Sequence, residues 1–382
     1  MKKRLFLVVG IMAVALAGYL VYSVIGTSTS TATAAKKTYS GVAYVAGHGG
    51  HFAKIDLTID PNNAENPIKL NKDLDRITIG TNKTHPMHDV RIDSNDSNVA
   101  FYSTYILDNS SGTPVFHIGK TDLKADKVIK DITMKPDERA PGKKPPLYCA
   151  SGQGKHTFLP VFMGTEGYVD VFDKGSLDRK HRMFISDLGY KSGTYKFVHG
   201  TNSPDMKKFL IAVNQAAEGK GNGKIDLIMV DLPALEKGEW KVLHKNTLSG
   251  EPDKTITFRQ SFSHDGKLIF QAANDRVYVI DAATLNLVDQ QMSPTGEQAH
   301  DMIPTPDAKY ALITARDAVP ACGADGMPIK DAKAITDGLL MLYDADAKKI
   351  VGKVSICQGC HKGMGMGDKV AILCGIDANW KK

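Results

Sequence analysis

The chain has 382 residues, 42% hydrophobic and 24% charged, the balance of a globular protein with a buried core and not of a disordered one. Lys2, Lys3 and Arg4 supply three of its six net positive charges, and no Lys/Arg cluster interleaved with aromatics follows them, which excludes a nucleic-acid surface. The 35 glycines and 17 prolines favour turns, and so β-structure.

The first element in chain order is Leu5–Gly26, 22 residues without a charge. About 20 residues span a bilayer as a helix, whereas the apolar core of a signal peptide has about 7–15. Residues 1–35 therefore read as an N-terminal hydrophobic helix: an uncleaved signal anchor or, with Ala32-Thr33-Ala34 as the peptidase site, a cleaved signal peptide. Both place residues 39–382 on the periplasmic or extracytoplasmic face of the inner membrane. The expected partners are the membrane, through this segment, and redox proteins. In an exported chain Cys149, Cys322, Cys357, Cys360 and Cys374 become disulfides or serve a cofactor.

From His88 onward the sequence repeats a phrase. "HDVRIDSNDSNVAFYS" from His88 aligns without gaps to "HDMIPTPDAKYALITA" from His300, with variants from His199 and Arg259. Each variant reads as a short strand, a tight polar turn and an apolar strand. A second phrase, as in "DRVYVIDAATLNLVDQQ" (275–291), is an apolar strand ending in Asp, a turn and a further strand. Asp173, Asp231, Asp281 and Asp344 recur there as turn-formers, since Asp closes turns by bonding nearby backbone. Phase-marking residues at 88, 156, 199, 259, 300 and 361 are 68, 43, 60, 41 and 61 residues apart, and the shortest intervals match a four-stranded propeller blade. The predicted fold is all-β: a single β-propeller of six to eight blades, seven being the expectation. Tyr39–Leu57 should complete a blade begun by the C-terminal segment, removing the free edges.

The "YVIDAATLNLVD" and "HGTNSPD" phrases resemble the propellers of YVTN-repeat proteins, of nitrous-oxide reductase and of haem-bearing nitrite reductases. The resemblance runs from about Tyr39 to Leu373 at the level of repeat grammar. It implies a propeller fold, and a fold does not carry chemistry with it. Nitrous-oxide reductase further implies copper on a ring of histidines. This chain lacks the paired-His signature, apart from His85/His88, and has no copper-binding electron-transfer domain.

Five in-phase positions are histidines: His88, His156, His199, His300 and His361, with His85, His48 and His51 nearby in pattern. Imidazole is a common metal and haem ligand, so these are the candidates for a channel-mouth metal site or a distal haem ligand. His117, His181, His244 and His264 fall out of phase and read as surface or turn residues.

Cys357-Gln-Gly-Cys360-His361 is the spacing of c-type haem attachment: two thiols for the vinyl groups and an adjacent His as proximal iron ligand. The competing readings are a Cys357–Cys360 disulfide and a Cys/His/Met site with Met364 and Met366, whose soft sulfur suits Cu(I). The expected function is an exported c-type cytochrome on a β-propeller, transferring electrons or reducing a small inorganic substrate with haem c near the channel. The alternatives are a copper-dependent oxidoreductase with a histidine ring and a non-catalytic propeller for partner binding or cofactor delivery.

Overall fold

The computed structural model describes residues 35–47, 49–105, 107–139, 148–164, 166–294, 296–319, 335–356 and 373–381. The predicted N-terminal helix, the Cys-x-x-Cys-His pentad, His48, Cys322, Met364 and Met366 lie outside them. No helix among the described residues is long and apolar enough to cross a membrane.

The unit Lys37–Lys382 is built from six antiparallel sheets. Blade 1 takes β1 (Tyr39–Gly47), β2 (His51–Ile59), β3 (Ile68–Leu70) and β4 (Asp75–Thr78); blade 2 takes β5 (Met87–Ile92), β6 (Val99–Thr104), β7 (Phe116–Asp122) and β8 (Lys127–Met134). Blade 3 runs from β9 (Tyr148–Gln153) through β10 (Thr157–Phe162) and β11 (Tyr168–Asp173) to β12 (Arg179–Phe184). Blade 4 runs from β13 (Tyr195–Asn202) through β14 (Lys208–Ala217) and β15 (Lys220–Asp231) to β16 (Val242–Ser249). Blade 5 holds β17 (Gln260–Phe262), β18 (Leu268–Ala272), β19 (Arg276–Asp281) and β20 (Leu287–Met292). Blade 6 holds β21 (Gln298–Pro304), β22 (Tyr310–Val319), β23 (Ile335–Asp344) and β24 (Lys349–Ser355). The last strand, β25 (Leu373–Trp380), returns to pair with β1 and becomes the innermost strand of blade 1.

The expected closure by joining the two ends of the chain is thus present, with Gly41 opposite Trp380 and Gly47 opposite Leu373. Contacts between innermost strands run β25, β5, β9, β13, β17, β21 and back to β25, a closed ring without free edges at its centre. The blades number six, not seven. The long repeat intervals hold one blade with insertions, such as the single helical turn Leu232–Leu235 in blade 4.

The repeated phrases are the hairpin turns. The side chains of Asp122, Asp173 and Asp281 each accept from backbone N–H groups two and three residues on, and that of Asp344 from Ala347. Four residues after each Asp the chain takes a positive φ, at Asp126, Leu177, Leu285 and Lys348. The second turn is equally regular. Ser203, Ser263 and Thr305 each donate to an Asp two residues on and accept from the backbone N–H five residues on, or four and five for Ser263.

Period-2 strands expose alternate side chains to opposite sheet faces, and here both faces pack. Six apolar clusters result, one at each blade interface. Phe101, Phe116, Phe158 and Phe172 join blades 2 and 3; Leu57, Leu312 and Leu342 join blade 1 to blade 6. Apolar packing at every seam gives a frame that can hold a central site.

Candidate functional site at the channel mouth

The innermost strands of blades 1, 2, 3, 4 and 6 shift register near their first residues. Such bulges break the two-residue alternation and re-aim side chains. Together with Arg259, which immediately precedes the regularly paired β17 of blade 5, they bring together one polar side chain per blade: Cys374, His88, Cys149, His199, Arg259 and His300, in blades 1 to 6. All six are at least 97% buried, with histidine on alternate blades.

Arg259 crosses the ring. Its Nη2 donates to His88 O at 2.8 Å, on the opposite blade, and to Cys149 Sγ at 3.3 Å, while Nη1 lies 2.8 Å from His300 Nδ1. His88 Nδ1 donates to Tyr148 O at 3.1 Å and lies 3.3 Å from Cys149 Sγ. Cys149 Sγ is 2.9 Å from Met163 Sδ and 4.0 Å from His199 Nδ1. Phe258 stacks on His300 with centroids 4.4 Å apart and meets His199 edge-on at 6.4 Å. His199 Nε2 is buried without a hydrogen-bond partner among the described residues.

One layer further along the strands sits a charge network. Arg91 Nη2 pairs with Asp301 Oδ2 at 2.9 Å and its Nη1 approaches Asp89 Oδ1 at 3.5 Å; Arg259 Nε reaches Asp89 Oδ2 at 3.3 Å. Asp301 Oδ2 also accepts from Ile376 N at 2.9 Å, and Arg91 Nη1 donates to Ile376 O at 2.6 Å. Burial drives the ring toward neutral forms, because desolvation penalises charge. It pushes the Cys149 thiol up, against the pull of Arg259. His199 and His300 are held well below the usual imidazole range by burial, with Arg259 and Arg91 acting on the first and Arg316 and Arg259 on the second. The ring therefore presents neutral imidazoles, thiol and thioether beside fixed guanidinium groups: a site suited to soft metals, small anions or redox ligands.

Of the predicted histidines, the structure brings His88, His199 and His300 to this ring. His156 is instead an exposed residue of the β9–β10 turn, and Cys149 holds the channel position of blade 3. His51 starts β2, the third strand out from the centre of blade 1. His85 sits in the turn before β5 with a different partner set. His361 lies outside the described residues. Cys149, Arg259, Arg316 and Met163 are absent from the sequence-derived candidate set; aligning "YCASGQ" with "MHDVRI" is the signal that points to Cys149.

His117, expected at the surface or in a turn, is buried in blade 2. Its Nδ1 lies 2.7 Å from Asp131 Oδ2 and its Nε2 3.1 Å from Asp108 Oδ2, with His85 Nε2 3.5 Å from the same Asp131 oxygen. Ligand atoms of His85, His117 and Asp131 lie within 4.8 Å of one another, a spacing compatible with a metal ion. A carboxylate at each nitrogen favours the imidazolium form of His117. Burial lowers its pKa, but Asp131 and Asp108 outweigh that and raise it above 6.5. Asp131 is held below 3.8; burial opposes this, and hydrogen bonds from His117, His85 and Tyr102 prevail.

The His117 contribution to stability is complete below pH 6.5 and is lost as pH rises through its higher folded value. The Asp131 contribution is present above pH 3.8 and is lost as pH falls through its lower folded value. Both are in place between those limits. Thermal melts at pH 6 and pH 9 should show a fall steeper by roughly 2–4 °C in the wild type than in His117→Gln; equal slopes would refute the assignment.

No protein-family model matches the chain, and no curated protein does. Solved structures are similar at low identity. Hydrazine synthase of Kuenenia stuttgartiensis is 16% identical with a TM-score of 0.43, over 71% of this chain and 66% of that one. A chain of the mitotic checkpoint complex is 10% identical with a TM-score of 0.44, over 81% and 77%. The β-propeller domain of Cps50 (Swd1) from Myceliophteria thermophila is 11% identical with a TM-score of 0.39, over 71% and 87%. The propeller assignment stands on the sheet topology.

Proposed function

We propose that the protein is an exported redox protein, a c-type cytochrome built on a propeller, whose chemistry is served by the channel-mouth ring. The observation that carries this reading is the ring itself: six buried polar residues, one from each blade, converge where a propeller needs only packing. The sequence supplies the matching cofactor signal. Cys357 and Cys360 suit thioether attachment of haem c, with His361 as proximal ligand, in the stretch that leads directly into β25 and Cys374. The residues of the ring fit such a group, since His199 offers a buried nitrogen without a partner among the described residues. Haem would supply one-electron transfer or binding of a small ligand at iron. The chain's own part is to exclude water and to fix neutral imidazoles and guanidinium donors where a small inorganic substrate enters. Redox partner proteins and an extracytoplasmic location, anchored or released, belong to the same reading.

Expression with haem-maturation machinery should give a haem-staining band on a denaturing gel and a pyridine haemochrome spectrum of c type. Both should vanish in Cys357→Ser/Cys360→Ser, and wild-type protein without covalent haem would sink the reading.

A second reading has its own observation. Met163 Sδ and His199 Nδ1 lie 2.9 and 4.0 Å from Cys149 Sγ, so thiol, thioether and imidazole form a soft donor set that selects copper. Arg91 and Arg259 are already matched by Asp89 and Asp301, so a Cu(I) thiolate adds no net charge, whereas a divalent ion adds one beside Arg259. Stoichiometric copper that disappears in Cys149→Ser would promote this reading.

A further inference from the structure

His300 is caught between two guanidinium groups. Its Nδ1 lies 2.8 Å from Arg259 Nη1 and its Nε2 lies 2.7 Å from Arg316 Nη2. Guanidinium only donates, while a neutral imidazole accepts at one nitrogen and donates from the other. Whichever tautomer His300 takes, one contact sets an N–H against an N–H, and an imidazolium would make both contacts so. Arg259 is fully buried and fixed by Asp89, His88 O and Cys149, so the lone pair belongs at Nδ1. The proton is then on Nε2, facing Arg316.

Arg316 is the side able to yield. It is half-buried on β22, and its other contacts are long ones, to Leu373 O and Cys374 Sγ at 3.4 Å each. No carboxylate lies within ion-pair distance of it among the described residues, whereas Arg91 and Arg259 both have one. Two donors and one unbalanced positive charge thus converge on one point. A negatively charged acceptor between them satisfies both. Phe258 walls this point by stacking on His300 and meets His199, whose Nε2 is a further buried nitrogen without a partner among the described residues.

We propose that Arg316 and His300 bind a small inorganic oxyanion at the channel mouth, one oxygen edge on the guanidinium fork and one oxygen on the His300 Nε2–H. Enclosure by Phe258 and by ring residues that are at least 97% buried favours an anion of a few atoms over an organic carboxylate. A forked guanidinium matches two oxygens better than an ammonium does. As the substrate class of the site this rests on the redox reading above; as a binding site it does not.

The test is calorimetric titration of full-length protein with sulfate, sulfite and nitrate, in chloride at constant ionic strength. At least one anion should bind saturably at one equivalent. Arg316→Gln should weaken it about 10-fold or more, and Arg316→Lys by less, with unchanged melting curves. Long-range 15N spectra should show His300 as the Nε2–H tautomer, shifted by the anion. Absence of saturable binding for all three, undiminished affinity in Arg316→Gln, or an Nδ1–H tautomer would each overturn the proposal. Repeating the titration on Cys357→Ser/Cys360→Ser separates the two claims. Binding there, with no covalent haem in the wild type, removes the redox reading and leaves the anion site; haem without anion binding does the reverse.

Discussion

Replacing Arg259 by methionine is expected to cost the protein about 3–5 kcal/mol, the loss seen when one partner of a buried ion pair is removed. Arg259 and Asp89 are both buried at the centre of the propeller, 3.3 Å apart. Without Arg259, Asp89 and Asp301 share Arg91 alone, so two carboxylates face one guanidinium away from water. Burial already pushes Asp89 above its ordinary value, with Arg91 and Arg259 opposing; removing one opponent raises it further. The variant should therefore recover stability as pH falls, and Asp89→Asn added to it should restore part of the loss. Urea unfolding of the single and double variants at pH 5 and pH 8 measures both effects. A loss under about 1 kcal/mol would place the pair among surface-like ion pairs and remove Arg259 as the keystone of the ring.

Gly375→Ala is expected to cost roughly 3 kcal/mol, the upper end of ordinary overpacking. A Cβ at Gly375 would meet Asp89 Oδ1 at 1.9 Å and Asp89 Cα at 2.9 Å. The carboxylate cannot step aside, because Arg91 and Arg259 hold it, and the Cα belongs to β5, which packs against β25 at the seam between blades 1 and 2. Gly221→Ala is the contrast: its nearest atoms lie 3.9 Å away, its φ is ordinary, and the change should stay within about 0.5 kcal/mol. Equal unfolding midpoints for the two variants would contradict the close approach at Gly375.

Much of the fold is legible because its turns are chemical. Asp122, Asp173, Asp281 and Asp344 mark the same hairpin in blades 2, 3, 5 and 6, and Ser203, Ser263 and Thr305 mark another. The blade number is less legible, since a long interval reads equally as a blade with insertions or as room for one more. For the site, His88, His199 and His300 stand out because histidine repeats in phase. Cys149 and Cys374 do not, because a small apolar-looking residue carries no phase signal of its own. Register shifts such as that between Met87 and Asp89 also break the alternation by which a strand residue is assigned to a face. The placement of His156 shows the limit: residue type set the phase there, and the backbone set it seven residues earlier. Arg316, from the second strand of its blade, reaches the ring only through the length of its side chain.

The pairing of β25 with β1 also fixes an order of events. Gly41 waits for Trp380, more than 300 residues later in synthesis, so five blades emerge before the first acquires its centre. Contacts of such sequence separation slow folding. Until β25 docks, Asp301 lacks the Ile376 N–H, Arg91 lacks the Ile376 carbonyl, and Thr314 lacks the carbonyl of Cys374. The polar centre is thus the last part of the molecule to become satisfied. A nascent chain stalled short of β25 would carry an open strand edge at β1, a ready target for proteolysis or aggregation, and no completed channel mouth.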